Sequence, residues 1–172
     1  SSDLAMGNEP GRVPVFHAWA AAELAHTTGE PSFTEDFRAS GFALGDPLDD
    51  GGADRMRPIM AYALNAHANA DVNLRDTMVA GIQNIADVFG ATSERFAYPH
   101  FQHPWAPVTW GTGAYPHRIE PAVVAYTTSG DEKYLRYMLW SADFALGVNP
   151  LNQTWITGLG DRPVYGPAHL WG

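Results

Sequence analysis

Apolar residues recur at three- to four-residue spacing in six stretches of the chain, the signature of amphipathic helices. No stretch reads as a strand. The first helix is predicted from about Pro14 to Thr28, with Phe16, Trp19, Ala20 and Leu24 on one broad inward face. Proline suits a first helical turn, and Gly29 stops the run. A second helix opens in PSFTEDF, residues 31–37, where Ser32 and Glu35 have capping-box spacing. Residues 41–58 read as a loop, followed by a short helix from Pro58 in PIMAYALNAHA. A longer helix is predicted from Asn73 to Gly90, with Asn73 and Asp76 at its start and an apolar stripe of Leu74, Met78, Ile82, Ile85 and Phe89. Residues 91–117 form a long loop rich in aromatics and proline, a length usually tied to function. The last two helices run from about Arg118 to Ser129 and from about Asp131 to Leu146, the latter turning Tyr134, Leu135, Met138, Leu139, Ala142 and Ala145 inward.

The fold class is therefore all-α, and residues 1–172 are read as a single region. The pattern also repeats. ELAHTTGEPSFTEDF at 23–37 matches VVAYTTSGDEKYLRYM at 123–138: a helix ends at Thr-Thr, a Gly-acid turn follows, and an aromatic residue comes early in the next helix. A repeated helical hairpin implies stacked hairpins, as in an α-solenoid or a closed α/α toroid. A toroid carries its site on the loops at one end.

Charge and composition narrow the chemistry. The net charge is −9, with only ten Lys and Arg, and these do not cluster; nucleic acid and an anionic membrane are poor partners. No apolar window reaches the length of a membrane span. The absence of cysteine excludes disulfides, thiolate metal sites and a Cys nucleophile. No G-x-S-x-G or H-E-x-x-H motif occurs. No cofactor is expected, although Asp46, Asp49, Asp50 and Asp54 are candidates for a structural Ca2+ site, against the reading of a solvated turn. His17, His26 and His67 read as helical residues with structural or surface roles, whereas His100, His103 and His117 in the aromatic loop suit either ligand contact or structural hydrogen bonding. Glu120 is read as a helix-start carboxylate facing the dipole. Six Trp, seven Tyr and eight Phe, many in Pro/Gly-rich segments, offer either core packing or a wall of rings along a groove.

The segment DFALGVNPLNQTWITGLGDR, residues 143–162, resembles the C-terminal signature of glycoside hydrolase family 9, the cellulase family. That signature is a D-Y-x-L-G-x-N-P-L helix end, an S/T-aromatic-V/I-T-G-x-G loop, then Pro-His-x-Arg. AWAAAELAHTTGEPSF is similar to an earlier helix of the family, TWGTG at 109–113 to its W-G-S-N, and SGDEKYLRYMLWSADF to the helix before the signature. The resemblance implies part of an (α/α)6 barrel, a helical-hairpin toroid, and an endoglucanase-like hydrolase acting on β-linked glucan by inversion with two carboxyl groups. It implies that the catalytic Asp pair precedes Ser1 and that the general-acid Glu follows Gly172, so no catalytic residue is assigned within this chain. It further implies an extracellular or periplasmic location, and partners consisting of a β-glucan or oligosaccharide substrate and the rest of the catalytic domain or a second chain. The signature departs at its end: the family His falls on Ala168 and the Arg on Leu170, with His169 one position late.

The candidates for sugar contact are Trp105, Trp110, Tyr115, His117, Trp155, Tyr165 and His169, each with packing as its alternative role. Asn149, Pro150, Gly158 and Gly160 are read as shaping the loop, and Asn152, Thr154 and Thr157 as satisfying its backbone groups. Two other functions fit the same architecture: a non-catalytic carbohydrate-binding or scaffold fragment, and another toroid enzyme such as a polysaccharide lyase with a Tyr or His base.

Overall fold

A hydroxyl residue followed by Gly and an acidic residue, Thr28-Gly29-Glu30 and Ser129-Gly130-Asp131, builds the same turn twice. The computed structural model describes residues 12–42, 52–101 and 119–163, with the backbone alone described for 12–13 and 52–55. These residues form the helices α1 (Arg12–Thr28), α2 (Pro31–Ala39), α3 (Gly52–Ala63), α4 (Val72–Ser93), α5 (Glu120–Ser129) and α6 (Glu132–Leu146), and no strand. They divide into two compact units, one ending at Ile85 and one beginning at Ala86.

The α1–α2 and α5–α6 hairpins have matching turns. Thr27 and Thr28 donate to the carbonyls four residues back at 2.8 Å, as Thr127 and Thr128 do at 2.8 and 2.9 Å. Gly29 and Gly130 then take left-handed backbone angles, φ 68 and 70. Glu30 and Asp131 follow in extended geometry with φ −73 each. The amide of Glu30 bonds the Thr28 hydroxyl, and that of Asp131 the Ser129 hydroxyl, both at 3.1 Å. The hairpins differ at the cap. Asp131 accepts from the Lys133 amide at 2.9 Å, whereas Glu30 makes no side-chain cap. The expected Ser32–Glu35 box is not formed, because Pro31 occupies the first turn and places Ser32 already inside the helix.

In the first unit α1 packs against α2 and α3. Its buried face is Val15, Ala18, Ala21, Ala22 and Ala25. Small residues let helix axes approach closely, so the predicted inward face is displaced. Phe16 and Leu24 are 48% and 42% exposed, and Trp19 is half-buried, donating to Glu23 at 2.9 Å beneath the Arg57 guanidinium. Phe37 of α2 stacks on Tyr62 of α3 at 4.6 Å and 6°, and the Tyr62 hydroxyl reaches Thr34 at 3.2 Å. Helix α3 begins six residues before the predicted Pro58 and stops at Ala63, so part of the expected 41–58 loop is helical and His67 lies in a turn. Proline is tolerated within the helix at the loss of one backbone bond, to the carbonyl of residue 54.

Helix α4 starts on Asp71, whose Oδ1 accepts from the Leu74 amide at 3.0 Å and whose Oδ2 pairs with Arg38. The Leu74 hydrogen bond, helped by the Arg38 bond and charge, holds the Asp71 carboxyl below the usual carboxylate range. A depressed folded-state value contributes stability above the unfolded carboxylate range, and that contribution is lost as pH falls through the folded value. Asp71→Ala is therefore expected to cost about 1 kcal/mol or less at neutral pH, given the exposure of the pair. Urea unfolding of the two proteins should converge in strong acid; an undiminished gap there would refute the cap assignment.

The expected stripe of α4 is buried at Met78, Ile82, Ile85 and Phe89. In the second unit α6 turns aromatics inward: Tyr134, Tyr137 and Phe144, with Ser141 between them. The predicted inward Leu135 and Leu139 are instead 37% and 54% exposed. The cause is Gly90. An added Cβ there would meet two Tyr137 ring atoms at 2.1 Å, so the ring lies directly on the α4 backbone. Tyr137 also packs on Phe101 at 5.9 Å, and Phe101 on Phe89 at 5.4 Å. The Phe101 amide bonds the Ser141 hydroxyl at 2.9 Å. Lys133 pairs with Asp87 of α4 at 2.9 Å; that hydrogen bond raises its pKa, although an exposed pair of this kind contributes less than about 1 kcal/mol.

Candidate functional site

Helix α6 ends at Gly147, and the chain builds an irregular loop over residues 148–163. Its organiser is Asn149, only 3% exposed. The Asn149 amide nitrogen donates to the carbonyls of Phe144 and Gln153, both at 2.8 Å. Its Oδ1 accepts from the amides of Leu151 at 3.1 Å and Gln153 at 3.4 Å. One buried side chain thus ties the last turn of α6 to the loop and completes its own hydrogen-bonding capacity. Asparagine suits this because it mimics a backbone turn with its side chain.

The loop then closes on itself. The Thr154 amide donates to the Arg162 carbonyl at 3.2 Å, an isolated bridge pairs Thr154 with Pro163, and Gln153 Nε2 donates to the Pro163 carbonyl at 3.1 Å. The Thr154 hydroxyl reaches back to the Leu146 carbonyl at 3.3 Å. Gly158 and Gly160 both have φ 76, as loop-shaping residues require. Asn152 takes the left-handed region itself, φ 46, a position asparagine tolerates. Of the three polar residues expected to satisfy backbone groups, Thr154 makes such a bond; the larger share falls to Asn149 and Gln153.

Trp155 is half-buried on this loop. Its amide donates to the Ala145 carbonyl at 2.9 Å. Its ring meets Phe144 edge-on, 4.9 Å between centroids at 84°. Behind Phe144 the rings continue: His100 lies at 4.4 Å and Phe96 stacks on His100 at 5.3 Å. His100 is 2% exposed, and its Nδ1 lies 3.0 Å from the Tyr98 carbonyl. The two roles open to His100 resolve in favour of structure, since a ring buried between two phenylalanines is part of the packing beneath the loop.

Trp155 is the one sugar-contact candidate within the described residues. Trp105, Trp110, Tyr115, His117, Tyr165 and His169 lie outside them, as do His103 and the altered signature positions Ala168 and Leu170. Asp46, Asp49 and Asp50 of the Ca2+ expectation also lie outside, as does the side chain of Asp54. Among the described residues no three His, Asp or Glu side chains gather as a metal site, and no helix is long and apolar enough to cross a membrane. Glu120 is the first residue of α5, where its carboxyl faces the helix dipole; its Oε2 is buried and has no hydrogen-bond partner among the described residues. Sequence reading missed the central role of Asn149 and the support from Phe144. An asparagine two residues beyond a helix-ending glycine was the available signal for the first, and the apolar spacing of α6 for the second.

Similarity to known proteins runs through this loop and most of the chain before it. Endoglucanase C of Cellulomonas fimi is 29% identical to the chain over 165 residues, covering 89% of the chain and 14% of the relative. The chain thus spans a small part of the length of that relative. The family model of Glycosyl hydrolase family 9 matches residues 17–171, and the chain belongs to that family.

Proposed function

We propose that the chain is part of a glycoside hydrolase that cleaves β-linked glucan of the cellulose type. The observation that carries this reading is the family match across residues 17–171, supported by a relative named as an endoglucanase. In the inverting mechanism one carboxylic acid protonates the leaving oxygen while a carboxylate activates water on the opposite face of the sugar. Both groups are assigned to chain outside these 172 residues. The described residues supply helical wall and one loop of a cleft, with Trp155 as a sugar-contacting ring. A secreted location goes with a polymeric substrate that cannot enter a cell.

The partner follows from exposed apolar surface. Phe16 and Leu24 stand on α1, and Leu135, Leu139 and Leu146 on α6, each between 37% and 54% exposed. Large aliphatic and aromatic side chains at helical spacing call for covering helices, which the rest of the catalytic domain would provide. The test compares the 172-residue chain with the protein as its gene encodes it, on soluble cellulose derivatives and cello-oligosaccharides. Hydrolysis with inverted anomeric configuration is expected from the encoded protein and none from the 172 residues. Turnover by the 172 residues alone would overturn the assignment of acid and base to chain outside them.

A further inference from the structure

We infer that Phe144 is a positioning residue for Trp155, holding the indole at a fixed angle as an apolar surface for one pyranose ring of the glucan. This rests on the glucan-hydrolase reading above. A ring serves as a stacking surface only if its plane is set before the sugar arrives, since ordering it on binding costs affinity. Among the described residues two contacts help to set Trp155. Its backbone is tied to α6 through the Ala145 carbonyl at 2.9 Å, and its ring is held by the edge-to-face contact with Phe144 at 84°, a geometry that aromatic quadrupoles favour.

Phe144 cannot turn to accommodate the indole. It is 3% exposed and packs on the other side against His100 at 4.4 Å. His100 is in turn held by the Tyr98 carbonyl and by Phe96. The carbonyl of Phe144 is engaged as well, by Asn149 Nδ2 at 2.8 Å. A train of four rings, Phe96, His100, Phe144 and Trp155, therefore runs from buried packing to a half-buried indole on the signature loop. Trp155 itself is half-buried, so the train runs from the core to a ring that is partly accessible. An aliphatic residue at 144 would fill the space but remove the edge-to-face contact that favours this indole angle.

The test takes binding from the KM for cellohexaose hydrolysis by the protein as its gene encodes it, with near-ultraviolet circular dichroism as the signature of the ring pair. Phe144→Leu and Trp155→Ala are each expected to weaken binding by about three- to tenfold, and Phe144→Leu to lose part of the aromatic dichroism while unfolding cooperatively. Phe144→Tyr keeps the ring and should restore both readouts. Phe144→Met is the second variant if Phe144→Leu does not fold; failure of both to fold would reduce Phe144 to a core residue and overturn the inference. Altered dichroism with wild-type affinity in either would also overturn it, leaving the glucan reading intact. Wild-type affinity in Trp155→Ala would remove the platform. A wild-type protein with no affinity for cellohexaose would remove the glucan reading and the inference with it.

Discussion

Gly29→Ala is expected to lower stability by about 3 kcal/mol, as the sum of two separable effects. The first is conformational. Gly29 has φ 68, and a Cβ in the left-handed region costs about 1–2 kcal/mol. The second is steric. A Cβ at Gly29 would lie 1.9 Å from Cε1 of His67, far inside van der Waals contact, and overpacking of this kind costs about 1–3 kcal/mol. The imidazole is not free to swing aside. Its Nδ1 accepts from the Asn69 amide at 3.1 Å, and the His67 amide is held by Asn65 Oδ1 at 3.0 Å. The repeated hairpin supplies the control. Gly130 has φ 70, and a Cβ there would meet nothing within 4 Å among the described residues, so Gly130→Ala should show the conformational effect alone, about 1–2 kcal/mol. Urea midpoints of the two variants and of Gly29→Ala/His67→Ala separate the terms. Equal losses at the two glycines would refute the close packing of His67 on the turn.

That repeat was legible because turns demand particular residue types. Hydroxyl residues, Gly and an acid in the same order can be recognised without knowing what the hairpins touch, and Ser129 makes the bond in the second turn that Thr28 makes in the first. The inward faces of α1 and α6 were not legible in the same way. Periodicity favours the largest apolar residues, yet α1 buries its alanines and exposes Phe16 and Leu24, while α6 buries tyrosines. What decides is the partner surface: backbones close together select small residues, and Gly90 makes a seat for Tyr137. Neither condition is written in the helix that responds to it. The start of α3 is hidden in the sequence because Pro58 reads as a boundary, although a proline inside a helix costs one hydrogen bond that packing around Met56, Ile59 and Tyr62 can offset. At the site, the motif located the loop and its glycines. The bonding of Asn149 to residues on both sides of it depends on the loop's closed shape, which spacing alone does not reveal.

Asn149→Leu is expected to cost about 3 kcal/mol or more and to release the signature loop. Leucine has the same branched heavy-atom skeleton as asparagine but makes none of its four hydrogen bonds. A net contribution of about 1 kcal/mol per bond, with more where a buried carbonyl is left unpaired, sets the scale. The loss should be local as well as global: amide exchange at Leu151 and Gln153, which bond Asn149 Oδ1, should speed up more than that of residues in the middle of α6. Asn149→Asp isolates the donor half of the arrangement. It keeps the acceptor for Leu151 and Gln153 but turns an oxygen toward the carbonyls of Phe144 and Gln153, each 2.8 Å from the present nitrogen. Ionisation there is opposed, so the folded-state pKa of the new carboxyl rises above the unfolded value of about 3.9. A raised carboxyl binds more protons in the folded state. The variant is then most stable below the unfolded value and loses stability as pH rises through the folded one. This is opposite in sign to the Asp71 cap, which weakens on acidification. A pH series of unfolding midpoints for Asn149→Asp against wild type should therefore show a gap that widens from acid to neutral pH. A gap independent of pH would mean that the two carbonyls do not depend on the amide, and that the loop is held chiefly by the Thr154 and Gln153 contacts to Arg162 and Pro163.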